Sequence, residues 1–255
     1  MRILVSNDDG IQARGLRVLV NSLNKVGEVI VVAPDRECSA IGHSITVHRP
    51  LRVKKTRLPG FDVQSWAVDG TPADCVKLAI EDLLTGAPDL VVAGINQGPN
   101  LGTDVLYSGT VSAAIEGALN GFPAVAVSLA SYCYQDFSQA RAFLQRFIPL
   151  LSKAGLSRNI LFNVNVPGTE RPLGVKVTRL GNRRYVNIFE KRVDPRGRIY
   201  YWMTGEPLEI EGNTGGTDVE AIKNNLISIT PLQLDLTDYA AIEKLNFLAE
   251  FQELL

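Results

Sequence analysis

The chain has 255 residues, of which 45% are hydrophobic, and this is enough for one large α/β core without a second independent domain. Its 26 basic and 27 acidic side chains leave a formal net charge of −1, so it lacks the positive surface by which proteins bind nucleic-acid polymers. No segment reaches the run of about 18 apolar residues that a membrane span needs, and its three cysteines are too widely spaced for a CxxC metal site.

The first elements in chain order form a βαβ unit. Aliphatic residues predict a strand from Arg2 to Ser6, and apolar residues at helical spacing predict a helix through Leu16 to Leu23 that Gly27 closes. The continuous apolar run from Glu28 to Ala33 is typical of a strand that is covered on both faces of a parallel sheet.

Strands and helices continue to alternate along the chain. Thr71 and Pro72 are the N-cap and first-turn residues typical of a helix start, and that helix is predicted to end at Gly86. This alternation predicts a Rossmann-like α/β fold with a doubly wound, mostly parallel sheet. The other predicted elements are strands at Leu90 to Ala93, Ala124 to Ser128, Ile160 to Val164 and Ile227 to Thr230, and helices at Thr110 to Leu119, Phe137 to Lys153 and from Ala240 onward.

The C-terminal third contains a segment of different character. From about Val175 the strands become shorter and are separated by turn residues, including a glycine cluster at 212–216. We expect a β-hairpin arm at about 175–217 that protrudes from a single domain of residues 1–255. Because an isolated apolar hairpin is only marginally stable, the arm is expected to pack on another subunit, with Tyr201 and Trp202 near the interface.

The loop after the first strand carries two adjacent carboxylates, Asp8 and Asp9, followed by Gly10. Ligands of open α/β sheets bind at the carboxyl ends of the strands, which is where this loop lies. Two ionised carboxylates about 4 Å apart repel each other by about 4 kcal/mol at an effective dielectric of 20, so they favour a bound cation. Oxygen ligands favour Mg²⁺ or Mn²⁺. The alternative is a solvated turn in which one aspartate caps the following helix.

The loop after the second buried strand offers weaker signals. Ser39 could supply a neutral oxygen ligand, and Arg36 could neutralise Asp35 or a phosphate group. Cys38 could be a nucleophile only with a base partner, and the chain has just two histidines, His43 and His48. The alternative interpretation of Cys38 is a small buried hydrophobic residue.

The glycine-rich loop from Gly94 to Thr110 is the most informative, because it leads into the start of a helix. The N–H groups and hydroxyls of Ser108, Gly109 and Thr110 are placed where a phosphate could bind. Asn96 is the first polar side chain after its strand and could complete a metal site. The loop does not match the P-loop motif, because no lysine follows the glycine. The alternative role for Ser108 is a helix N-cap.

Together these segments resemble the SurE family, the survival-protein-E nucleotidases. The resemblance implies a Rossmann-like sheet, one divalent metal cation and a phosphomonoesterase that acts on nucleotides. The matching motifs cover nearly the whole chain: NDDGI at 7–11, APDR at 33–36, SITVHRPLR at 44–52, GTPADCVKLA at 70–79, PDLVVAGIN at 88–96, NLGTDVLYSGTVSAAIEG at 100–117, NVNVP at 163–167 and SITPL at 228–232.

The resemblance also assigns roles to individual residues. The implied metal ligands are Asp8, Asp9, Ser39 and Asn96, and the implied phosphate-binding residues are Ser108, Gly109 and Thr110. The chain departs from common family forms at a few positions, so fine substrate preference does not carry over. These positions are Gln97, where Arg or His is common, Thr103, where an acidic residue is common, and Asn224 and Asn225, which replace a Gly-aromatic pair.

The predicted function is metal-dependent hydrolysis of nucleoside 5′-monophosphates, with 3′-monophosphates as a further substrate class. Asp8 and Asp9 are the candidate catalytic residues, and Asp9 is the candidate base or water-orienting group. Two alternatives stay open at this stage: an aspartyl-phosphate phosphatase with Asp8 as nucleophile, and a nucleotide sensor without catalysis. The predicted location is the cytoplasm, where cysteines stay reduced, and the predicted assembly is a homodimer or homotetramer.

Overall fold

The structure is a computed structural model that describes residues 1–155, 159–186, 188–208, 215–245 and 247–248. Nine strands form the main sheet: β1 (Arg2–Ser6), β2 (Glu28–Pro34), β3 (Val53–Thr56), β4 (Gln64–Val68), β5 (Leu90–Gln97), β6 (Ala124–Ala130), β7 (Leu161–Pro167), β8 (Gly174–Val177) and β13 (Leu226–Leu232). The arm strands are β9 (Arg184–Val186), β10 (Phe189–Val193), β11 (Ile199–Met203) and β12 (Glu206–Leu208), and the helices are α1 (Arg14–Leu23), α2 (Pro72–Leu78), α3 (Gly109–Leu119), α4 (Ser138–Lys153), α5 (Asp218–Lys223) and α6 (Tyr239–Lys244).

The main sheet has the order β3-β4-β2-β1-β5-β6-β7-β13-β8. The six strands from β4 to β7 in this order run parallel, so their carboxyl ends share one edge of the sheet. β3 is antiparallel to β4, and β13 is antiparallel to β7 and parallel to β8. The predicted Rossmann-like, mostly parallel α/β sheet is therefore confirmed.

Apolar side chains form one core layer on each face of this sheet. On one face, Leu16 and Leu19 of α1 and Leu144 of α4 pack against strand residues. On the other, Val76 of α2 and Ala113 of α3 pack against the alternate strand residues. Because every central strand is covered on both faces, its sequence is a continuous apolar run, and this explains why the strands could be located from sequence.

Local capping signals fix the start of α2. The Thr71 side chain accepts a hydrogen bond from the Asp74 backbone, the Asp74 side chain accepts one from the Thr71 backbone, and Pro72 occupies the first turn, as predicted. The α-helical part ends at Leu78, and a π-helical turn from Ala79 to Leu83 continues it. No helix among the described residues combines the length and the apolar character that crossing a bilayer requires.

The chain segment at 175–217 contains both sheet and arm. β8, at its start, pairs with β13 in the main sheet. The pairs β9–β12 and β10–β11 are antiparallel and form one long hairpin, which we call the arm. Part of the predicted turn cluster, residues 212–214, lies outside the described residues, as does much of the chain after α6. The β3–β4 hairpin and the short helix α5 were not predicted from the sequence.

Candidate active site

The loops after β1, β2 and β5 meet the start of α3 at the carboxyl edge of the sheet. The Cys38 backbone donates a 2.7 Å hydrogen bond to the Asp8 carbonyl, which joins the first two loops. The position of Gly10 also requires glycine, because its φ is +91° and a Cβ atom there would lie 3.0 Å from the Arg36 carbonyl carbon. The carboxylates that the sequence placed at this edge are thus held by a tightly packed backbone.

Asp8 lies at the bottom of the site, with only 4% of its surface exposed. Its carboxylate accepts hydrogen bonds from the hydroxyl and the backbone N–H of Thr110, at the first turn of α3. Gly109 makes this approach possible, since a Cβ atom there would lie 2.7 Å from the Asp8 Cβ. Burial raises the pKa of Asp8, and the Thr110 hydrogen bonds oppose part of that rise.

Asp9 is half-buried beside Asp8. Burial and the neighbouring Asp8 charge raise the pKa of Asp9 to about 6, although a hydrogen bond from the Gln97 backbone opposes the rise. Glu37 raises the pKa of both aspartates, so a third carboxylate contributes to the negative potential of the site. Sequence reasoning did not select Glu37, which lies two residues before Ser39.

The other two predicted metal ligands are Asn96, near the end of β5, which extends past the predicted strand end at Ala93, and Ser39, in the loop after β2. The side-chain amide nitrogen of Asn96 donates a 2.9 Å hydrogen bond to the Gly98 carbonyl, and its remaining polar atom is an oxygen that can only accept. Ser39 is exposed, and its hydroxyl donates a 2.7 Å hydrogen bond to Glu37. The Ser39 hydroxyl would therefore have to leave Glu37 to contact a metal held by the aspartates.

The polar atoms of this region fit a divalent metal cation. Asn7 Oδ1 and Ser6 Oγ are buried next to Asp8, and neither has a hydrogen-bond partner among the described residues. Two carboxylates with raised pKa values need positive charge, and every candidate donor is an oxygen, as Mg²⁺ and Mn²⁺ prefer. The described residues contain no group of three or more His, Cys, Asp or Glu side chains arranged to hold a metal. The amide and hydroxyl oxygens would thus have to complete the ligand set.

The start of α3 has the predicted polar residues but uses them partly for its own capping. The Ser108 side chain accepts a 3.1 Å hydrogen bond from the Val111 backbone, so Ser108 is the N-cap of α3. Thr110 bonds to Asp8, as described. The three residues Ser108, Gly109 and Thr110 therefore lie beside the metal-ligand candidates, and the helix terminus faces a carboxylate.

A 3₁₀ turn from Gly102 to Leu106 precedes this helix start and is fixed by residues near the arm. Asp104 forms an ion pair with Arg183 and accepts a 2.9 Å hydrogen bond from the Tyr185 hydroxyl. The Gly102 backbone donates a 2.8 Å hydrogen bond to Asp218, which also accepts one from Gly181. Sequence reasoning missed these contacts because no local pattern links residues so far apart in the chain.

The structure also shows the surroundings of Cys38, His43 and Arg36, for which the sequence left alternative roles open. Burial raises the pKa of the Cys38 thiol, which makes it a poor nucleophile, and the thiol lies 3.8 Å from the Gly70 carbonyl. His43 cannot serve as its base, because His43 bonds to the buried Glu116 at 2.9 Å. Arg36 lies 3.7 Å from Asp35, so the predicted pairing of these two residues is present.

Comparisons of the sequence and of the fold with known proteins all match SurE proteins. A family model described as "Survival protein SurE" matches residues 3–187. The chain is 58% identical, over all of its length and 98% of the relative's, to the 5′-nucleotidase SurE of Pelotomaculum thermopropionicum. It is 56% identical to the 5′-nucleotidase SurE of Desulforudis audaxviator, with 96% of each chain covered. The crystal structure of the SurE protein from Aquifex aeolicus matches 98% of this chain and 100% of its own, with a TM-score of 0.83 and 39% identity.

Proposed function

The chain belongs to the survival protein SurE family, and from that membership we infer that it is a nucleotidase, which releases phosphate from nucleoside 5′-monophosphates. The structural observation that carries this proposal is the contact between Asp8, after β1, and Thr110, at the start of α3. It joins a pair of carboxylates suited to a metal with a helix terminus suited to a phosphate.

We assign the metal-binding role to Asp8, Asp9 and Asn96, with Ser39 as a further ligand. One divalent cation, Mg²⁺ or Mn²⁺, would supply an activated water and polarise a phosphoryl oxygen. Asp8 is the most deeply buried of these ligands, and its carboxylate is bonded to Thr110. Asn96 is oriented by its bond to Gly98.

The phosphate group would lie at the start of α3. Backbone N–H groups in the first turn of a helix attract anions, and because those of Thr110 and Val111 bond to Asp8 and Ser108, we assign the Gly109 N–H to the phosphate. The space that a Gly109 Cβ atom would fill is taken by Asp8, so this N–H lies next to the proposed metal ligand. A helix terminus contributes at most about 2 kcal/mol, so its main effect would be to position the phosphate in line with the attacking water.

Asp9 is the residue suited to orient or deprotonate that water. Burial and the Asp8 charge raise the pKa of Asp9 to about 6 without a bound cation, and a divalent cation at these carboxylates would lower it, so Asp9 would orient the water as an ionised carboxylate. Asp8 is poorly suited to the alternative role of a phosphate-accepting nucleophile, since it is almost fully buried and one oxygen accepts the Thr110 hydroxyl. The relatives' activity as 5′-nucleotidases argues against the alternative of a nucleotide sensor.

We also propose that the chain is one domain that assembles through the arm into a homodimer or homotetramer. Apolar side chains on the arm, among them Phe189, Ile199 and Tyr201, are exposed to solvent. Burying such a patch is what subunit contacts achieve. A cytoplasmic location is supported by Cys38, Cys75 and Cys133, which are free thiols.

Release of inorganic phosphate from AMP tests the proposed function directly. The purified protein is dialysed against a chelator and assayed alone, with excess chelator, and with added Mg²⁺ or Mn²⁺. We expect activity only with added metal. Activity in excess chelator would refute the metal assignment, and AMP binding without phosphate release under every condition would establish the sensor instead. A panel of 5′- and 3′-monophosphates then defines the preferred substrate.

A further inference from the structure

An aromatic side chain lies next to the candidate active site on the turn that follows β6. Tyr132 has 68% of its surface exposed. Its ring nevertheless rests on the Gly98 backbone, because a Cβ atom added to Gly98 would lie 2.4 Å from Tyr132 Cε1 and 3.0 Å from Cδ1. Only glycine at position 98 permits this contact, and it leaves the rest of the ring open to solvent.

The turn that carries Tyr132 is held in place by several hydrogen bonds. The side-chain amide of Gln97 donates to the carbonyl of Ser131 and, at 3.0 Å, to that of Tyr134. The Tyr134 backbone donates a 3.0 Å hydrogen bond to the Ser131 hydroxyl. Because these bonds hold the backbone on both sides of Tyr132, little backbone entropy is lost when a ligand packs on its ring.

The segment beneath the ring also forms one wall of the active site. The Gly98 carbonyl accepts the hydrogen bond from Asn96, and the Gln97 backbone donates to Asp9. The ring is thus in contact with the same three-residue segment that orients two proposed metal ligands. A nucleotide whose phosphate lies at these ligands must place its sugar and base beyond them.

We propose that Tyr132 is a specificity-determining residue on which the nucleobase of the substrate stacks, an inference that rests on the proposed nucleotidase function. Stacking on an aromatic ring favours substrates that carry a base and discriminates little among bases, since every base has a π-face. The ligand class is therefore a purine or pyrimidine nucleotide, as opposed to a sugar phosphate without a base.

Two other tyrosines near the site are less suited to this role. The Tyr185 hydroxyl donates a hydrogen bond to Asp104. The Arg183 guanidinium lies 5.5 Å from the centre of the Tyr185 ring and covers one face of that ring. Tyr107, which is 66% exposed, directly precedes the α3 cap. Its backbone is bonded to Asp104 and Gly42, but its ring has no described stacking partner and no glycine beneath it.

The test compares AMP with ribose 5-phosphate, which has the same phosphate and sugar but no base. Tyr132→Ala should raise KM for AMP about tenfold, with kcat nearly unchanged, and leave kcat/KM for ribose 5-phosphate as in the wild type. Tyr132→Phe keeps the ring and should behave like the wild type. Inhibition by the product adenosine should weaken by a similar factor in Tyr132→Ala only. Tyr239→Ala is the matched control, because Tyr239 is a similarly exposed tyrosine that follows β13 at the opposite edge of the sheet.

The outcomes separate this inference from the proposed function. Equal loss for both substrates, or no loss for either, in a protein that hydrolyses AMP would overturn the stacking role and leave the nucleotidase intact. A larger effect of Tyr107→Ala than of Tyr132→Ala on KM for AMP would likewise overturn it and assign the base to Tyr107. A wild-type protein that releases no phosphate from AMP would overturn both.

Discussion

The hydroxyl of Thr110 donates a hydrogen bond to the carboxylate of Asp8, although 102 residues separate them in the chain. The bond connects the end of β1 to the first turn of α3, across the edge of the sheet where the parallel strands end. It also brings the positive end of the helix dipole to a buried carboxylate. The proposed metal ligand and the proposed phosphate site are therefore in direct contact. A substitution at either one should change both metal binding and phosphate binding.

Asp8→Asn should abolish nearly all turnover. The change keeps the shape of the side chain but removes a charged ligand, so we expect at least about a hundredfold loss in kcat and a weaker affinity for Mn²⁺. Metal titration by calorimetry and phosphate release from AMP measure the two effects. Asp35→Asn, at an exposed carboxylate after β2, is the control and should retain both. Wild-type turnover of Asp8→Asn at saturating metal would exclude Asp8 as a ligand.

Thr110→Ala and Ser108→Ala should have different effects. Loss of the Thr110 hydroxyl removes one hydrogen bond to the buried Asp8 carboxylate, and a bond to a charged group contributes about 1.5 to 3 kcal/mol, so activity should fall about ten- to hundredfold. Thr110→Ser should restore most of it. Ser108→Ala removes an N-cap and should lower stability by about 1 kcal/mol, measured by urea unfolding. If Ser108→Ala instead loses activity at unchanged stability, its hydroxyl contacts the phosphate.

Stability should depend on Glu116 in acid. Hydrogen bonds from His43 and Lys77, at 2.9 and 3.1 Å, hold the pKa of the buried Glu116 at about 2, below its usual value of 4.5. Between these two pKa values the unfolded chain binds more protons than the folded one. The contribution of Glu116 to the free energy of unfolding is therefore complete above about pH 4.5 and is lost as pH falls toward 2.

We expect the free energy of unfolding of the wild type to fall by about 2 kcal/mol from this source between pH 5 and pH 2.5. This loss is smaller than the full pKa shift would give, because solvent partly screens His43 and Lys77. Glu116→Gln should lack that component. Urea unfolding of both proteins across this range isolates it, because their other carboxylates titrate alike. Parallel stability curves for the two proteins would show that the ion pairs contribute nothing.

One face of the arm should form the subunit contact. Neighbouring residues of a strand point to opposite faces, so Ile199 and Tyr201 lie on one face of the β10–β11 hairpin and Tyr200 and Trp202 on the other. The Ile199 face also carries Phe189, Val193 and Met203, with Lys191 opposite Tyr201 as its one charged residue, whereas Tyr200 and Trp202 lie opposite the charged residues Arg192 and Glu190. Both Tyr201 and Trp202 are predicted to lie near the interface, and we propose that Tyr201, on the more apolar face, makes the contact itself.

Ile199→Ser combined with Tyr201→Ser should therefore shift the protein toward monomer in light scattering. The matched pair Tyr200→Ser and Trp202→Ser removes similar apolar area from the other face and should leave the assembly intact. A wild-type protein that stays monomeric at micromolar concentration would show that the arm makes no subunit contact. Equal dissociation of both double variants would show that the two faces contribute alike.

The sequence predicted the elements whose signals are local. The strands β1 and β2 are unbroken apolar runs because helices cover both their faces, and Thr71 and Asp74 start α2 by contacts within one turn. β3 was missed because its residues, VKKT, are largely exposed at the sheet edge and carry no apolar run. At the site, Asp8 and Asn96 could be found because each lies close to the carboxyl end of a strand. The Arg183 to Asp104 ion pair could not, since it depends on how separate parts of the chain fold together.

Asp218 gives the active site a dependence on the order of synthesis. The turn that leads into α3 is bonded through Gly102 to Asp218, and β13 inserts between β7 and β8. A ribosome completes Asp8, Asn96 and Thr110 long before it reaches residue 218. The growing chain can therefore build most of the parallel sheet early, but the loop beside the site acquires its final bonds only when Asp218 and β13 have emerged. Nascent chains should consequently stay inactive until the ribosome has passed β13.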